Sequence, residues 1–527
     1  MLVVVVIRLV AAYASYLVVL SISLLAGYRL LLHPLRKYPG PFLAKLTQIH
    51  AGFYAFRRRL HLEIFQYHAQ YGPVVRVGPD RLIFNTVEAQ RDIYQNERFT
   101  KARTYLVSTR NNVFNVFTAI DRDLHRQKRQ VVGQAVSERS IRAFEPAMAD
   151  KIEVCLRQIL EHSRASVPVD MTEKSRYLGL DIVGQLAFGY DLRTLSDEQN
   201  RFITKAMAFG NYRGNVCQHV PWLSKLYVDK IADKVFYEVR EKYWRLLDKM
   251  IATRMAQDKH AQQDFYSFIA DSVKGTNRGG DFWLEALFFL VAGGDTTATA
   301  ICAAFFYLSR SPECYGKLAS EIRSTFSSGR EIKGGLQLAG CRYLRACIDE
   351  ALRMSPPIST TLWREQDRND DSNEPLIVDG QVIPRGTIVG VNLYALNHNE
   401  KYFPDPFVFQ PERWIPSDTT DTPESSLSRK LMYEAFAPFS VGPRGCAGKA
   451  MAYLEVSMIV AKSLWYFDFK AAPGKLGEIG GGKAGETSGR GRPSEYQLYD
   501  IFTSRHEGPH LVFSPRGDLC GELETTA

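Results

Sequence analysis

The most constraining stretch of this 527-residue chain is Phe439–Ala450, FSVGPRGCAGKA. A single cysteine, Cys446, sits among Gly442, Gly445 and Gly448, with Arg444 two residues before it. The text behind it, AMAYLEVSMIVAKSL, reads as an amphipathic helix. Cys446 therefore falls at a helix start, where unpaired backbone N–H groups and the helix dipole favour a thiolate. Glycines let the backbone come close to a large flat ligand, and Arg444 offers a cation to an anionic group beside it. A chain of this length can bury a large core around such a ligand.

The other cysteines do not compete for this role. The chain has eight in all, irregularly spaced and without a CxxC pair. A disulfide framework or a zinc site is not expected, and a reducing compartment is. The formal net charge is +9, but no Lys/Arg-rich block stands out. Nucleic acid is not an expected partner; an anionic membrane surface or an acidic protein fits the bias.

At the N-terminus, Leu9–Gly27 carries no charge and is rich in Leu, Val and Ala. About 20 apolar residues cross a bilayer as a helix. Arg29, Arg36 and Lys37 follow, so the positive-inside rule places the body in the cytosol. A cleaved signal peptide is the weaker reading, because the run exceeds an h-region of about 7–15 residues. Residues 1–36 are expected to be the anchor and 37–527 a single catalytic domain. KYPGP (Lys37–Pro41) separates them as a stiff spacer.

The body reads as mainly α with minor β. Strand-like text appears at Pro73–Asn85, broken at Gly78-Pro79. A further hairpin is expected around Asp379-Gly380. Residues 473–493 are Gly-rich and almost free of large apolar side chains, which predicts a flexible insert.

Two further motifs carry chemistry. AGGDTTAT (Ala292–Thr299) lies inside an apolar helix expected over Phe282–Ser309, with Asp281 as its cap. Paired glycines weaken a helix and threonine bonds back to carbonyls, so a local opening is expected at Gly293-Gly294. In Glu350-Ala-Leu-Arg353 the two charges share a helix face and can pair.

Phe439, Gly442, Arg444, Cys446 and Gly448 together resemble the haem-binding loop of cytochrome P-450, and the resemblance runs from Pro39 to about Arg516. The HPLRKYPGPFLAKLT stretch is similar to filamentous-fungal members that tailor secondary metabolites. The resemblance implies the cytochrome P-450 fold, helical with small β-sheets around a buried haem b whose iron takes an axial thiolate from Cys446. Phe439, Arg444 and Gly448 would lie against the haem, and His125, Arg129 and Arg364 match positions that bind its propionates. Asp295 and Thr296 match the acid and alcohol that relay protons. Glu350, Arg353 and, from PERW, Arg413 match a buried structural network. His125 stands where many members have Trp.

The implied activity is a monooxygenase acting on a lipophilic small molecule with O2. No flavin or nicotinamide domain is evident, so electrons would come from an NADPH-cytochrome P-450 reductase. Localisation would be the endoplasmic reticulum membrane, single-pass. Two alternatives are a haem-thiolate isomerase or dehydratase that does not use O2, against which the Asp295-Thr296 pair weighs, and a non-catalytic haem sensor, which the complete oxidase machinery disfavours. Phe114, Phe117, Phe209, Trp222, Phe288, Phe289 and Leu362 fall in segments that would read the substrate, which fits a terpenoid, polyketide or peptide-derived alkaloid. Arg122, Arg126, Lys128, Arg129 and Lys449 are expected to form a basic docking face for the reductase.

Overall fold

The computed structural model describes residues 2–109, 113–226, 237–269, 279–416 and 423–524. The chain starts with a helix, Leu2–Gly27, whose side chains are exposed from Val3 to Leu25. The body is mainly helical. At its centre runs a 30-residue helix, Gly279–Leu308, called here the central helix. It packs against Met171–Phe188, Lys449–Tyr466 and Arg342–Met354. Asp281 lies within its first turn and does not precede it as a cap. From Ala300 to Leu308 it is apolar on all sides, and Ile301, Ala303, Phe305 and Phe306 are fully enclosed. A helix of that character belongs in a protein core as readily as in a bilayer, and here it is a core helix.

The expected opening at Gly293-Gly294 does not break this helix, which is α-helical from end to end. The glycines instead allow a close crossing with Met171–Phe188. A Cβ on Gly293 would come to 2.6 Å from Val183 Cγ2, and one on Gly179 to 2.8 Å from the Gly294 carbonyl oxygen. Small residues at the crossing point bring two helix backbones together, and tertiary packing outweighs their weak propensity.

The largest sheet has five strands in the order Val74–Gly78, Arg81–Phe84, Ile388–Val391, Arg364–Gln366, Phe99–Lys101. The expected break at Gly78-Pro79 is the turn between its first two strands. Asp379 and Gly380, at φ 48° and 68°, turn the hairpin that pairs Leu376–Val378 with Gln381–Ile383. Another short hairpin, Tyr499–Ile501 with Thr503–Arg505, sits beside the central helix.

Two expectations about boundaries meet contacts in the fold. Residues 28–36 are not anchor alone: the apolar helical run continues to Leu32, yet residues from Arg29 on also touch the body. Leu35 is 0% exposed in the core cluster formed with Leu82, Phe84 and Val389, and Arg76 donates from Nη1 to the Arg29 carbonyl at 3.0 Å. Nor is 473–493 a free loop. Gly482 N–H donates to Arg492 O and Lys483 N–H to Arg490 O, both at 2.9 Å. Arg490 reaches Leu498 O at 2.7 Å, and Arg492 lies 3.6 Å over the Phe407 ring. Guanidinium donors and cation–π contacts order it where apolar burial does not.

The boundary leads to a prediction. Deleting residues 2–27 should leave the melting temperature of the body unchanged. Deleting through Lys37 removes Leu35 and should cost about 2–5 kcal/mol, as for loss of a buried Leu side chain. Thermal melts of the two truncations check this; equal melting temperatures would contradict a structural role for Leu35.

Candidate active site

A cavity of about 990 Å³ opens between the central helix, the Cys446 loop and the helix Phe202–His219. Cys446 is the one exposed cysteine, the other seven being buried, and its exposed surface lines this cavity. The loop is held in place by backbone bonds. Cys446 N–H donates to Phe439 O at 2.8 Å and Gly445 N–H to Gly442 O at 3.0 Å. Gly442 has φ +75°, and a Cβ there would lie 2.0 Å from Tyr94 O, so only glycine fits. Gly448 is the N-cap of the helix Lys449–Tyr466; it lines the cavity, and a Cβ on it would meet open space.

Protein atoms crowd the Cys446 sulfur, and this desolvation pushes the thiol up from its ordinary value. The Gly448 N–H, Arg129 and Lys449 pull the other way. Phe439 packs on Tyr453 at 5.0 Å between centroids. Tyr453 in turn donates to Asp349 Oδ1 at 2.6 Å, which ties the loop to Arg342–Met354.

Cations gather on one side of the cavity. Arg129 donates to Gly445 O at 2.7 Å. Arg444 donates to Ala119 O and Ile120 O at 2.6 Å and to Thr100 Oγ1 at 3.0 Å. Arg364 donates to Trp363 O at 3.1 Å, and Lys101 to Phe117 O at 2.5 Å and Val116 O at 3.3 Å. None of these bonds goes to a carboxylate. Burial lowers His125 to about 3, helped by Arg444, Lys101, Arg129 and Arg364. Burial, then Arg364, takes Arg444 down to about 10. Lys101 is driven well below its ordinary value by burial and these same arginines. Positive charge held this close is costly unless an anion joins it. A flat group bearing two carboxylates, set over a thiolate, fits this donor set.

Beneath the cavity Glu350 and Arg353 are both fully buried. Glu350 Oε1 accepts from Arg353 Nη2 at 2.9 Å, Arg413 Nε at 3.1 Å and the Gln410 N–H at 3.1 Å. Its Oε2 accepts from Arg353 Nε and Trp414 Nε1, each at 2.9 Å. Arg353 Nη1 donates to Asn397 O and Pro406 O at 2.8 Å. Ile348 and Leu352, on the same helix, line the cavity.

On the opposite side Thr296 lines the cavity and donates from Oγ1 to Ala292 O at 2.5 Å. Asp295 is not part of the lining. Its Oδ2 accepts from Thr503 Oγ1 at 3.4 Å; desolvation raises its carboxyl, with Arg176 and Arg505 acting against the rise.

Residues 34–478 match the family model for cytochrome P-450. The chain belongs to the cytochrome P-450 family. It is 34% identical to the cytochrome P-450 monooxygenase AKT7 of Alternaria alternata, with 92% of this chain and 94% of that protein covered. It is 36% identical to the cytochrome P-450 monooxygenase poxM of Penicillium oxalicum, covering 92% and 91%. A third relative, the cytochrome P-450 monooxygenase atnE of Emericella nidulans, is 31% identical over 96% of this chain and 97% of its own. This cytochrome P-450 is a monooxygenase. The family's cofactor is haem iron with a cysteine thiolate ligand, and its members draw electrons from a redox partner and use O2.

The structure brings Cys446, Phe439, Arg444, Gly448, His125, Arg129, Arg364 and Thr296 of this cytochrome P-450 to one cavity. Lys101 joins them and was missed, because nothing in the short strand Phe99–Lys101 marks its cation as buried. Of the aromatic positions expected to meet substrate, Phe117, Phe209, Phe288, Phe289 and Leu362 line the cavity. Phe114 lies at a separate small pocket, and Trp222 is 42% exposed on the surface. The expected basic docking face is reduced. Lys128 is buried and paired with Glu285 at 3.0 Å, Arg122 pairs with Asp367 at 2.9 Å, and Arg129 turns inward. Arg126 stays exposed but faces Asp123 at 3.0 Å.

Proposed function

We propose that Cys446 would supply the thiolate ligand of a haem b iron and that Arg129, Arg364, Arg444, His125 and Lys101 would receive its propionates. The observation that carries this reading is the convergence, in one cavity, of the Cys446 sulfur with buried Lys101 and Arg364 and half-buried Arg129 and Arg444, whose bonds among the described residues go to no carboxylate. When bound, the haem iron with a thiolate ligand supplies activation of O2 and cleavage of its O–O bond. The protein supplies the pocket, the orientation of the substrate and the protons.

Thr296 holds a hydroxyl at the cavity wall. Its proton rests on Ala292 O, which leaves the Oγ1 lone pairs able to accept. The Asp295 carboxyl, raised by its surroundings, holds a proton closer to neutral pH than a free aspartate does. It is the source that reloads Thr296. Thr296→Ala should therefore keep its cofactor yet lower product formed per NADPH consumed on the order of a hundredfold. Stoichiometry with an NADPH-cytochrome P-450 reductase measures this. Unchanged coupling would remove Thr296 from the proton path.

The substrate is a lipophilic small molecule, since the upper cavity is walled by aromatic rings such as Phe117 and Phe288, stacked at 5.3 Å. A tailoring step in fungal secondary metabolism is supported by the resemblance of the HPLRKYPGPFLAKLT stretch and by relatives from three fungi. The electron donor is an NADPH-cytochrome P-450 reductase. The helix Leu2–Gly27 spans the endoplasmic reticulum membrane once, with Arg29, Arg36 and Lys37 keeping the body on the cytosolic side. Phe42, Leu43, Phe53 and Phe56, each more than half exposed just after the anchor, fit the same membrane surface.

A further inference from the structure

The helix Phe202–His219 forms one wall of the cavity, and Asn211 and Gln218 on it are part of the lining. With Asn215 between them, steps of four and three residues put three amides on one face of the helix. Two of these amides hold the fold together. Asn211 Nδ2 donates to Thr503 Oγ1 at 2.8 Å, and Asn215 Nδ2 to Asp500 Oδ1 at 3.1 Å. They clamp the helix to the hairpin of Tyr499–Ile501 with Thr503–Arg505. The Asn215 oxygen is closed off inside the protein.

Gln218 differs from both. The residue is 2% exposed, yet among the described residues its Oε1 and Nε2 bond to no protein atom. Neither atom is closed off as the Asn215 oxygen is. The little surface that Gln218 keeps therefore includes both ends of its amide, on a residue that lines the cavity. Its backbone is pinned. Arg81, itself 1% exposed, donates from Nη2 to Gln218 O at 2.9 Å and lies over the Trp363 ring at 5.4 Å. The amide thus stands on a fixed stem, in a cavity whose lining also includes the rings of Phe117, Phe288 and Phe502.

We propose that Gln218 is the specificity-determining residue of this enzyme and that the substrate is a lipophilic molecule carrying a primary amide or a lactam. An amide side chain with both ends open accepts at Oε1 and donates at Nε2. A primary amide or a lactam presents N–H and C=O side by side and answers both ends at once. A carboxylate only accepts and satisfies one. An apolar guest that displaces water from Gln218 leaves both ends unpaired, which is penalised. Discrimination of this kind, built on a polar group fixed in the site, exceeds what apolar surface alone achieves.

This inference rests on the haem reading, and the test separates the two. Imidazoles bearing an N-alkyl chain bind haem iron through the ring nitrogen and extend the chain into the cavity. Two series of increasing length are compared by titrating the ferric spectrum, one ending in a carboxamide and one in an isopropyl group of the same shape. In the parent enzyme the carboxamide-to-isopropyl affinity ratio should peak at one chain length. At that length Gln218→Leu should lower the ratio about tenfold or more. Gln218→Met should lower it likewise, which covers a failure of the leucine variant to fold. A parent ratio without a peak, or a peak of the same height in parent and variants, overturns the assignment of Gln218. An absence of any imidazole-induced spectral change in the parent overturns the haem reading itself, and this proposal with it.

Discussion

Glu350→Ala is expected to destabilise the protein by about 3–5 kcal/mol, the range for breaking a buried ion pair by removing one partner. Five donors converge on the Glu350 carboxylate, from Arg353, Arg413, Gln410 and Trp414. Without it, the Arg353 guanidinium stays fully buried with only carbonyl acceptors. Domains have margins of about 5–15 kcal/mol, so such a loss takes much of the stability. The same helix carries Ile348 and Leu352 into the cavity wall, so cofactor retention should fall with the melting temperature. Trp414→Phe removes a single donor to a charged group and should cost about 1.5–3 kcal/mol. Thermal melts with haem content measured in parallel check the order. An alanine variant that melts at the parent temperature with full haem content would show that the network carries no structural burden.

How much of this was legible beforehand follows from how local each feature is. The Cys446 loop was legible because its determinants lie within ten residues: Gly442 passes against Tyr94, Gly448 caps the next helix, and Arg444 points to one side. The Glu350–Arg353 pair was legible from a three-residue spacing, but Trp414 Nε1 and the Gln410 N–H as further donors were not, since their approach is set by tertiary packing. Gly293 and Gly294 were visible as a weak point in a helix. Their partners, Val183 and Gly179, lie more than a hundred residues away, so the same glycines read as an opening when they serve a close crossing.

Charge was the least legible property. Lys101 and Lys128 are short steps from surface residues in the sequence, yet both are buried, one against carbonyl oxygens and one against Glu285. Composition likewise presented 473–493 as disordered. Composition counts Arg490 and Arg492 as solvated, while in the fold they bind carbonyls and aromatic rings. Leu35 read as part of the anchor because its partners, Leu82 and Val389, come from distant strands.

Cys446→Ser is expected to abolish the thiolate-type spectrum and the monooxygenase activity together. Cys446 is the single exposed cysteine, and the other seven are buried, so no neighbour substitutes for its sulfur. A serine keeps the loop's shape, since the Cys446 N–H still bonds to Phe439 O, but its oxygen does not donate electron density as a thiolate does. The most direct measurement is the absorption of the reduced, carbon monoxide-bound protein, parent beside variant. The parent should absorb at the thiolate position, to the red of histidine-ligated haem, and the variant should lose that band. A Cys446→Ser protein that kept the thiolate band would contradict the assignment of Cys446 as the iron ligand.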